Sequence, residues 1–464
     1  MGTSRHSIAI VWITRCCVAT AAIAVADSSA NAQVDSLSGV QVILPVTTPT
    51  LPPWSAQQVF EPLPFPQYWD RESREMLAPE DTPVKTRQQP GYESVGIRYA
   101  DWMIHPTITL GSFVDSNVFS TNTSKRSDLA LVVRPSVSAS TLWDRHAVDL
   151  SMDLRSTLYR ANPGLDQTDA NVKARGRIDI RHDIAVLMSF QAAHLNEGVG
   201  SLSSPSGAVQ PTPYDLFSGD VTYRQEFNRL TASAGARVNS YSYGLTRAQD
   251  GSIINQNSRD GQTYALHGRL DYAFSPMLGF FSALEGDRRD LRGLPTQSFN
   301  SDGFRTLSGV SVAFTHLIMG EFSAGYTRRQ FDDASIGTAQ GPTYRGMLIW
   351  SPTRLVDVTF QAAQMVTQAT ETDVKSIKAT ALQLGLDYEL RRNVVISLAG
   401  NYETDDFLSQ MRTDRVYSTL SELKYLMNRY SSISLQHKFV RRDSSVPLSS
   451  YDKQEIGINV TAQF

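Results

Sequence analysis

Past residue 32 the chain has no cysteine, no long apolar run and no excess of charge of either sign. Its two cysteines, Cys16 and Cys17, both fall in a stretch that reads as an export signal. A mature product would then hold no thiol, which excludes disulfides, zinc thiolates and a cysteine nucleophile. The absence of an eighteen-residue apolar run excludes a transmembrane helix. It does not exclude a membrane barrel, whose strands need only one apolar side chain in two. With 43 Lys and Arg against 46 Asp and Glu, the formal net charge is -3, and nothing points to a nucleic-acid partner. Also missing are a Gly-x-Ser-x-Gly elbow, a His-Glu-x-x-His helix and a phosphate-cradling glycine loop. The eight histidines are scattered. These absences argue for a protein that is not an enzyme and holds no cofactor or metal.

What is present falls into three parts. Residues 1–32 read as a signal peptide: Arg5 and His6, then apolar Ile8 to Ile13 and Cys16 to Ala26, then Ala30-Asn31-Ala32 as a small-x-small cleavage site. Arg15 before Cys16 does not fit a lipoprotein acylation box. Residues 33–100 are a proline-rich leader, mostly irregular, because proline removes amide donors and fixes backbone torsions. Aromatics among its prolines, Trp54, Phe60, Phe65, Tyr68 and Trp69, are placed to dock on a partner or fill a barrel mouth. Residues 101–464 alternate with a period of two almost throughout.

The last thirteen residues, Asp452 to Phe464, show the pattern most plainly. Ile456, Ile458, Val460, Ala462 and Phe464 share one parity, and Gly457, Asn459, Thr461 and Gln463 the other. A strand there has one apolar and one polar wall. Ending on Phe464, the segment resembles the assembly signal of bacterial outer-membrane barrels. Similar segments recur about eighteen times, with lengths that suit tilted strands crossing a bilayer. Val172, Ala174, Gly176, Ile178 and Ile180, for instance, alternate with Lys173, Arg175, Arg177, Asp179 and Arg181.

Tight connections, such as Arg181-His182, Ser275-Pro276, Thr315-His316 and Arg391-Arg392, alternate with long polar ones, such as Asn196 to Pro213 and Thr370 to Lys375. Short periplasmic turns and long outer loops have this signature. The pattern predicts a closed transmembrane antiparallel up-and-down β-barrel of about eighteen strands, with both termini periplasmic. Large rings precede the tight turns on the apolar parity: Trp143, Phe227, Phe274, Phe314, Trp350, Tyr388 and Tyr425. They would form the periplasmic aromatic girdle. On the polar parity, Arg155, Lys173, Arg175, Arg177, Arg224, Arg237 and Arg269 form a lumen-facing basic ladder, interleaved with Asp149, Asp153, Asp179 and Asp220. Two readings stand: a lattice of cross-strand pairs that stiffens the wall, and an attractor for anionic solutes.

A stretch near the first strand carries a family resemblance. Trp102-Met103-Ile104-His105-Pro106 leads into Ile108 to Leu110, Gly111-Ser112-Phe113 and then Asp115-Ser116-Asn117-Val118-Phe119. It resembles the first strand and outer turn of the putative beta-barrel porin family found beside capsule and exopolysaccharide export genes. The resemblance implies an outer-membrane channel, with export of an acidic exopolysaccharide as the expected function. A general small-solute diffusion porin is the alternative within channels, and a lipase- or protease-type barrel enzyme the alternative outside them. Expected partners are outer-membrane lipid and lipopolysaccharide, the barrel assembly machinery and periplasmic polysaccharide export components. Asp115 and Asn117 are expected to shape a turn, since such side chains bond nearby backbone amides.

Overall fold

A computed structural model describes residues 84, 87, 89 and 91–464, apart from 202, 203, 206, 276, 294–296, 315, 316, 368–376, 408–411, 447 and 448. The signal peptide, most of the leader, Pro276, Thr315-His316 and the connection Thr370 to Lys375 lie outside the described residues.

Eighteen antiparallel strands form the wall. They are β1 (Trp102–Asp115), β2 (Asp128–Thr141), β3 (Ala147–Tyr159), β4 (Gln167–Arg181), β5 (Ile184–Glu197) and β6 (Thr212–Phe227). Then come β7 (Leu230–Tyr243), β8 (Gly261–Ser275), β9 (Leu278–Leu291), β10 (Ser301–Phe314), β11 (Ile318–Phe331) and β12 (Thr338–Thr353). The last six are β13 (Val356–Thr367), β14 (Ile377–Arg391), β15 (Val394–Phe407), β16 (Arg412–Asn428), β17 (Ser431–Ser444) and β18 (Tyr451–Gln463). Each pairs with the next in sequence, and β18 pairs with β1 from Thr107↔Gln463 to Asp115↔Glu455. The predicted closed barrel is therefore what forms, with the predicted number of strands.

The two parities explain why the sheet closes. Leu131, Val172, Ile178, Phe217, Leu284, Leu435 and Val460 are exposed, and Leu384 reaches 57% exposure. Their neighbours on the other parity, among them Arg224, Arg269, Asp357 and Glu389, are buried. A soluble core would invert this arrangement. With an apolar outside, an open edge would leave amides unpaired in hydrocarbon at several kcal/mol each. Wrapping until the first and last strands pair removes that cost.

The strand bounds differ from the apolar pattern at one end. β6, β10 and β18 begin at Thr212, Ser301 and Tyr451, whereas the alternation begins at Phe217, Thr306 and Ile456. Backbone pairing continues past the apolar belt, where outward positions become polar, as at Asp302 and Asp215. The alternation marks the belt and not the strand, so several long connections are shorter than the sequence suggests. The connection after β7 carries its own small hairpin, Leu245–Arg247 with Ile253–Asn255.

The seam between β1 and β18 is clasped at the long-connection end. Asn117 N–H donates to Asp115 Oδ1 at 2.9 Å, and Thr121 N–H donates to Asn117 Oδ1 at 3.1 Å. This is the expected turn. The same pair also reaches the last strand: Asn117 Nδ2 donates to the Asp452 carbonyl at 2.9 Å and Lys453 Nζ to Asp115 Oδ2 at 2.8 Å. Both Asp115 and Asn117 are fully buried. At the other end β18 stops where Phe464 N–H meets the Pro106 carbonyl at 3.2 Å. A short strand, Ile97–Tyr99, folds back on Trp102 to Ile104 and continues pairing that edge of β1. This strand falls inside the range read as leader.

Candidate functional site: the lumen wall

The inward parity brings the predicted ladder and many further charges onto one surface. In β4 and β8 the period-two rule sets Lys173, Arg175 and Arg177, and His267, Arg269 and Asp271, on the inside. Pairing is local and dense. Arg177 Nε donates to Asp179 at 2.8 Å, Arg224 Nη2 to Glu226 at 2.6 Å and Arg237 Nε to Asp220 at 3.1 Å. Arg269 bonds Asp271 through Nε at 2.9 Å and Glu321, three strands away, through Nη2 at 2.9 Å. Its guanidinium also lies 3.7 Å from the centroid of Phe281, a cation–π contact.

The sector from β8 to β11 extends this network through residues outside the predicted ladder. Arg305 Nη2 donates to Glu285 at 2.8 Å and Arg329 Nη2 to Asp287 at 2.7 Å, while Arg237 lies 3.7 Å from Glu285. A recurring signal could have located many of these pairs: arginine two positions before an acid puts both on one face of a strand. It occurs at Arg177/Asp179, Arg224/Glu226, Arg269/Asp271 and Arg412/Asp414.

The sector around β3 and β4 differs. Asp153 is engaged by Arg134 Nε at 2.7 Å, and Asp179 by Arg177. Lys173 and Arg175 make no ion pair among the described residues, although Asp149 stands across from Arg175. Their other cross-strand neighbours are Ser151 and Gln191 for Lys173 and Ser189 for Arg175. Arg155 stands across from Asp169. This sector presents two cations without an ion pair among the described residues, two positions apart on β4 and backed by hydroxyl and amide groups.

At the short-turn end, residues preceding the barrel touch the inner wall. Val84 N–H donates to Asp357 Oδ2, Gln89 Nε2 donates to Glu389 Oε2 at 2.8 Å, and Arg87 lies 3.4 Å from the same carboxylate. Outside the barrel near that end, Trp143, Phe227, Phe274, Phe314, Trp350 and Tyr425 are exposed and Tyr388 is half-buried. Trp143 packs edge-on against Trp102 at 6.3 Å.

One inward group has the composition of a hydrolytic relay without its geometry. Thr222 Oγ1 lies 3.0 Å from His267 Nε2, but it donates to Asp220 Oδ1 at 2.9 Å. His267 Nδ1 is buried with no hydrogen-bond partner among the described residues. A relay needs the acid on Nδ1, to hold the tautomer and stabilise the imidazolium. Acids at the long-connection end are likewise engaged: Asp332 receives Arg288 at 2.6 Å, and Asp406, within β15, lies 3.0 Å from Lys378 across from it.

Solved structures with a likeness to the chain include OpdK of Pseudomonas aeruginosa with vanillate, at TM-score 0.42 and 10% identity, covering 78% of this chain and 99% of that one. OccK2 (OpdF) of the same organism gives TM-score 0.43 and 11% identity, with 81% and 99% covered. The siderophore receptor PirA, also from Pseudomonas aeruginosa, gives 0.39 and 10%, with 79% and 81% covered. At these scores the likeness carries nothing about solute or mechanism. No curated protein matches the chain. The model of one family, described as putative beta-barrel porin 2, matches residues 89–464, and the chain, an outer-membrane β-barrel, belongs to that family.

Proposed function

We propose that the protein is a passive outer-membrane channel for small hydrophilic solutes, with a preference for anions arising at Lys173 and Arg175. The observation that carries this reading is the inner wall: charges of both signs line it, nearly every arginine meets a carboxylate, and these two cations on β4 do not. A pore with such a wall is polar and close to neutral except at one station. Export of an acidic polysaccharide asks for more, because a long polyanion needs a continuous basic track. Arg177, Arg224, Arg237 and Arg269 are clamped by carboxylates and Arg155 is also engaged, so of the predicted ladder only Lys173 and Arg175 make no ion pair among the described residues. The comparisons lend export no support either, and the small-solute reading takes precedence.

In this reading the short turns and both termini face the periplasm and the long connections face outward. The outward rings near the short turns serve as the girdle, Ile456, Ile458, Val460 and Phe464 as the assembly signal, and lipopolysaccharide meets the outer rim. Planar-bilayer recording tests the proposal. The pure reconstituted protein should pass ions and favour anions under a salt gradient. A silent bilayer, with protein shown to be inserted, overturns it.

A further inference from the structure

A column of oxygens on β15 has no donor to meet it. Toward the long-connection end of that strand the inward residues are Asn401, Glu403 and Asp405, one above the next by the period-two rule. Asn401 donates from Nδ2 to Ser418 Oγ at 3.3 Å, which leaves its Oδ1 buried with no hydrogen-bond partner among the described residues. Asp405 is 2% exposed, and its Oδ2 is likewise buried without a partner there. Glu403, between them, is buried and makes no hydrogen bond or ion pair among the described residues. A buried carboxylate left in that state is costly, and folded interiors keep few of them. The neighbouring strands do not supply the missing charge. Across from Glu403 stand Ala381 and Val416, and across from Asp405 stand Ala379 and Asp414. Asp414 takes both nearby guanidiniums, Arg412 Nη2 at 2.8 Å and Arg442 Nη2, and accepts from Ser444 Oγ as well. Lys378 and Arg415 lie on the outward parity and turn away. Three buried carboxylates therefore share two guanidiniums. Water could bring hydrogen bonds to the column, but not the charge it lacks.

We propose that Asn401 Oδ1, Glu403 and Asp405 hold a hard divalent cation of the calcium class on the inner wall near the long-connection end. Carboxylates and an amide carbonyl are the donors such an ion takes, with water completing its roughly six to eight oxygen ligands. Ala379, Ala381 and Val416 beside the column bring no donor that would compete for its oxygens. An ion there binds the folded barrel and not the unfolded chain, so it stabilises the barrel by mass action. The site lies on β15, apart from Lys173 and Arg175 on β4, and holds whether or not the barrel conducts.

The test titrates calcium calorimetrically into the barrel in detergent free of lipopolysaccharide. The wild type should bind one ion per chain at neutral pH, and its urea midpoint should be higher in calcium than in chelator. Glu403→Gln with Asp405→Asn should abolish both the binding and the shift, and Asn401→Ala should move the titration to higher calcium. Absence of binding to the wild type overturns the site. So does binding that the double variant retains, which would put the ion on exposed acids such as Asp302 or Asp452. Should the double variant fail to fold, Asn401→Ala decides alone: weakened binding supports the site and unchanged binding overturns it. A wild-type midpoint that responds to acid but not to calcium means that protons answer the column, and it overturns the site too.

Discussion

Two sectors of one wall, built by the same alternation, behave differently. From β8 to β11 every inward arginine named above is held by at least one carboxylate, and Arg269 holds two and a ring. Around β4 the nearby acids are already engaged, and Lys173 and Arg175 make no ion pair among the described residues. Charge count does not distinguish the sectors; the placement of acids does. Where a carboxylate two positions on or on another strand bonds the base, charge becomes stiffness. Where a base meets serine and glutamine, its field is left for a passing solute.

Breaking the dense sector should have the largest effect. Arg269→Ala leaves buried Asp271 and half-buried Glu321 without the guanidinium between them, at a cost of about 3 to 5 kcal/mol. Urea unfolding of the detergent-held barrel, followed by tryptophan fluorescence, should show the loss. A midpoint within error of the wild type would mean that the network contributes no stability. Next comes the outside of β4 itself. Val172→Arg turns a charge toward lipid for about 2 to 4 kcal/mol near the midplane, measured in the same way. An environment-sensitive label at Val460 or Ile178 should also report hydrocarbon and not water.

Smaller in energy, but aimed at function, is the double change Lys173→Gln with Arg175→Gln. Stability should stay within about 0.5 kcal/mol, since neither cation makes an ion pair among the described residues. The reversal potential under a salt gradient should move toward cation selectivity. No movement would remove the anion station while leaving the channel. The mildest test moves one sector toward the other: Ser189→Asp, on the side of Arg175 opposite Asp149, supplies a second facing acid. It should lower anion preference and add only about 0.2 to 1 kcal/mol.

The closed barrel was legible because one physical constraint repeats. Each crossing needs apolar side chains at every second position and a partner for every amide, so Val172 to Ile180 or Ile456 to Phe464 announce themselves without neighbours. Asp115 and Asn117 were legible as a turn, since an Asx side chain bonds amides two residues on. Their reach to Asp452 and Lys453 was not, because nothing local says that the chain's first and last strands meet in that register. Pairing of charges was half legible. Arg177 with Asp179 and Arg269 with Asp271 are local, but Glu321 reaches Arg269 across three strands and Arg329 finds Asp287 across two. The upper ends of strands were missed because outward side chains turn polar there while the backbone stays paired. The contacts of Val84 and Gln89 left no trace in the pattern, since residues outside the regular strands have no periodicity to read.

The clasp at the seam ties residues made early to residues made last. Until Lys453 arrives, Asp115 lacks the cation that answers its carboxylate, and Asn117 lacks the Asp452 carbonyl. A polypeptide cut short before its final strand therefore loses hydrocarbon-shielded edge pairing and also strands an acid on its opening hairpin. The eighteenth strand thus supplies both the backbone pairing and the counter-ion that the first strand needs.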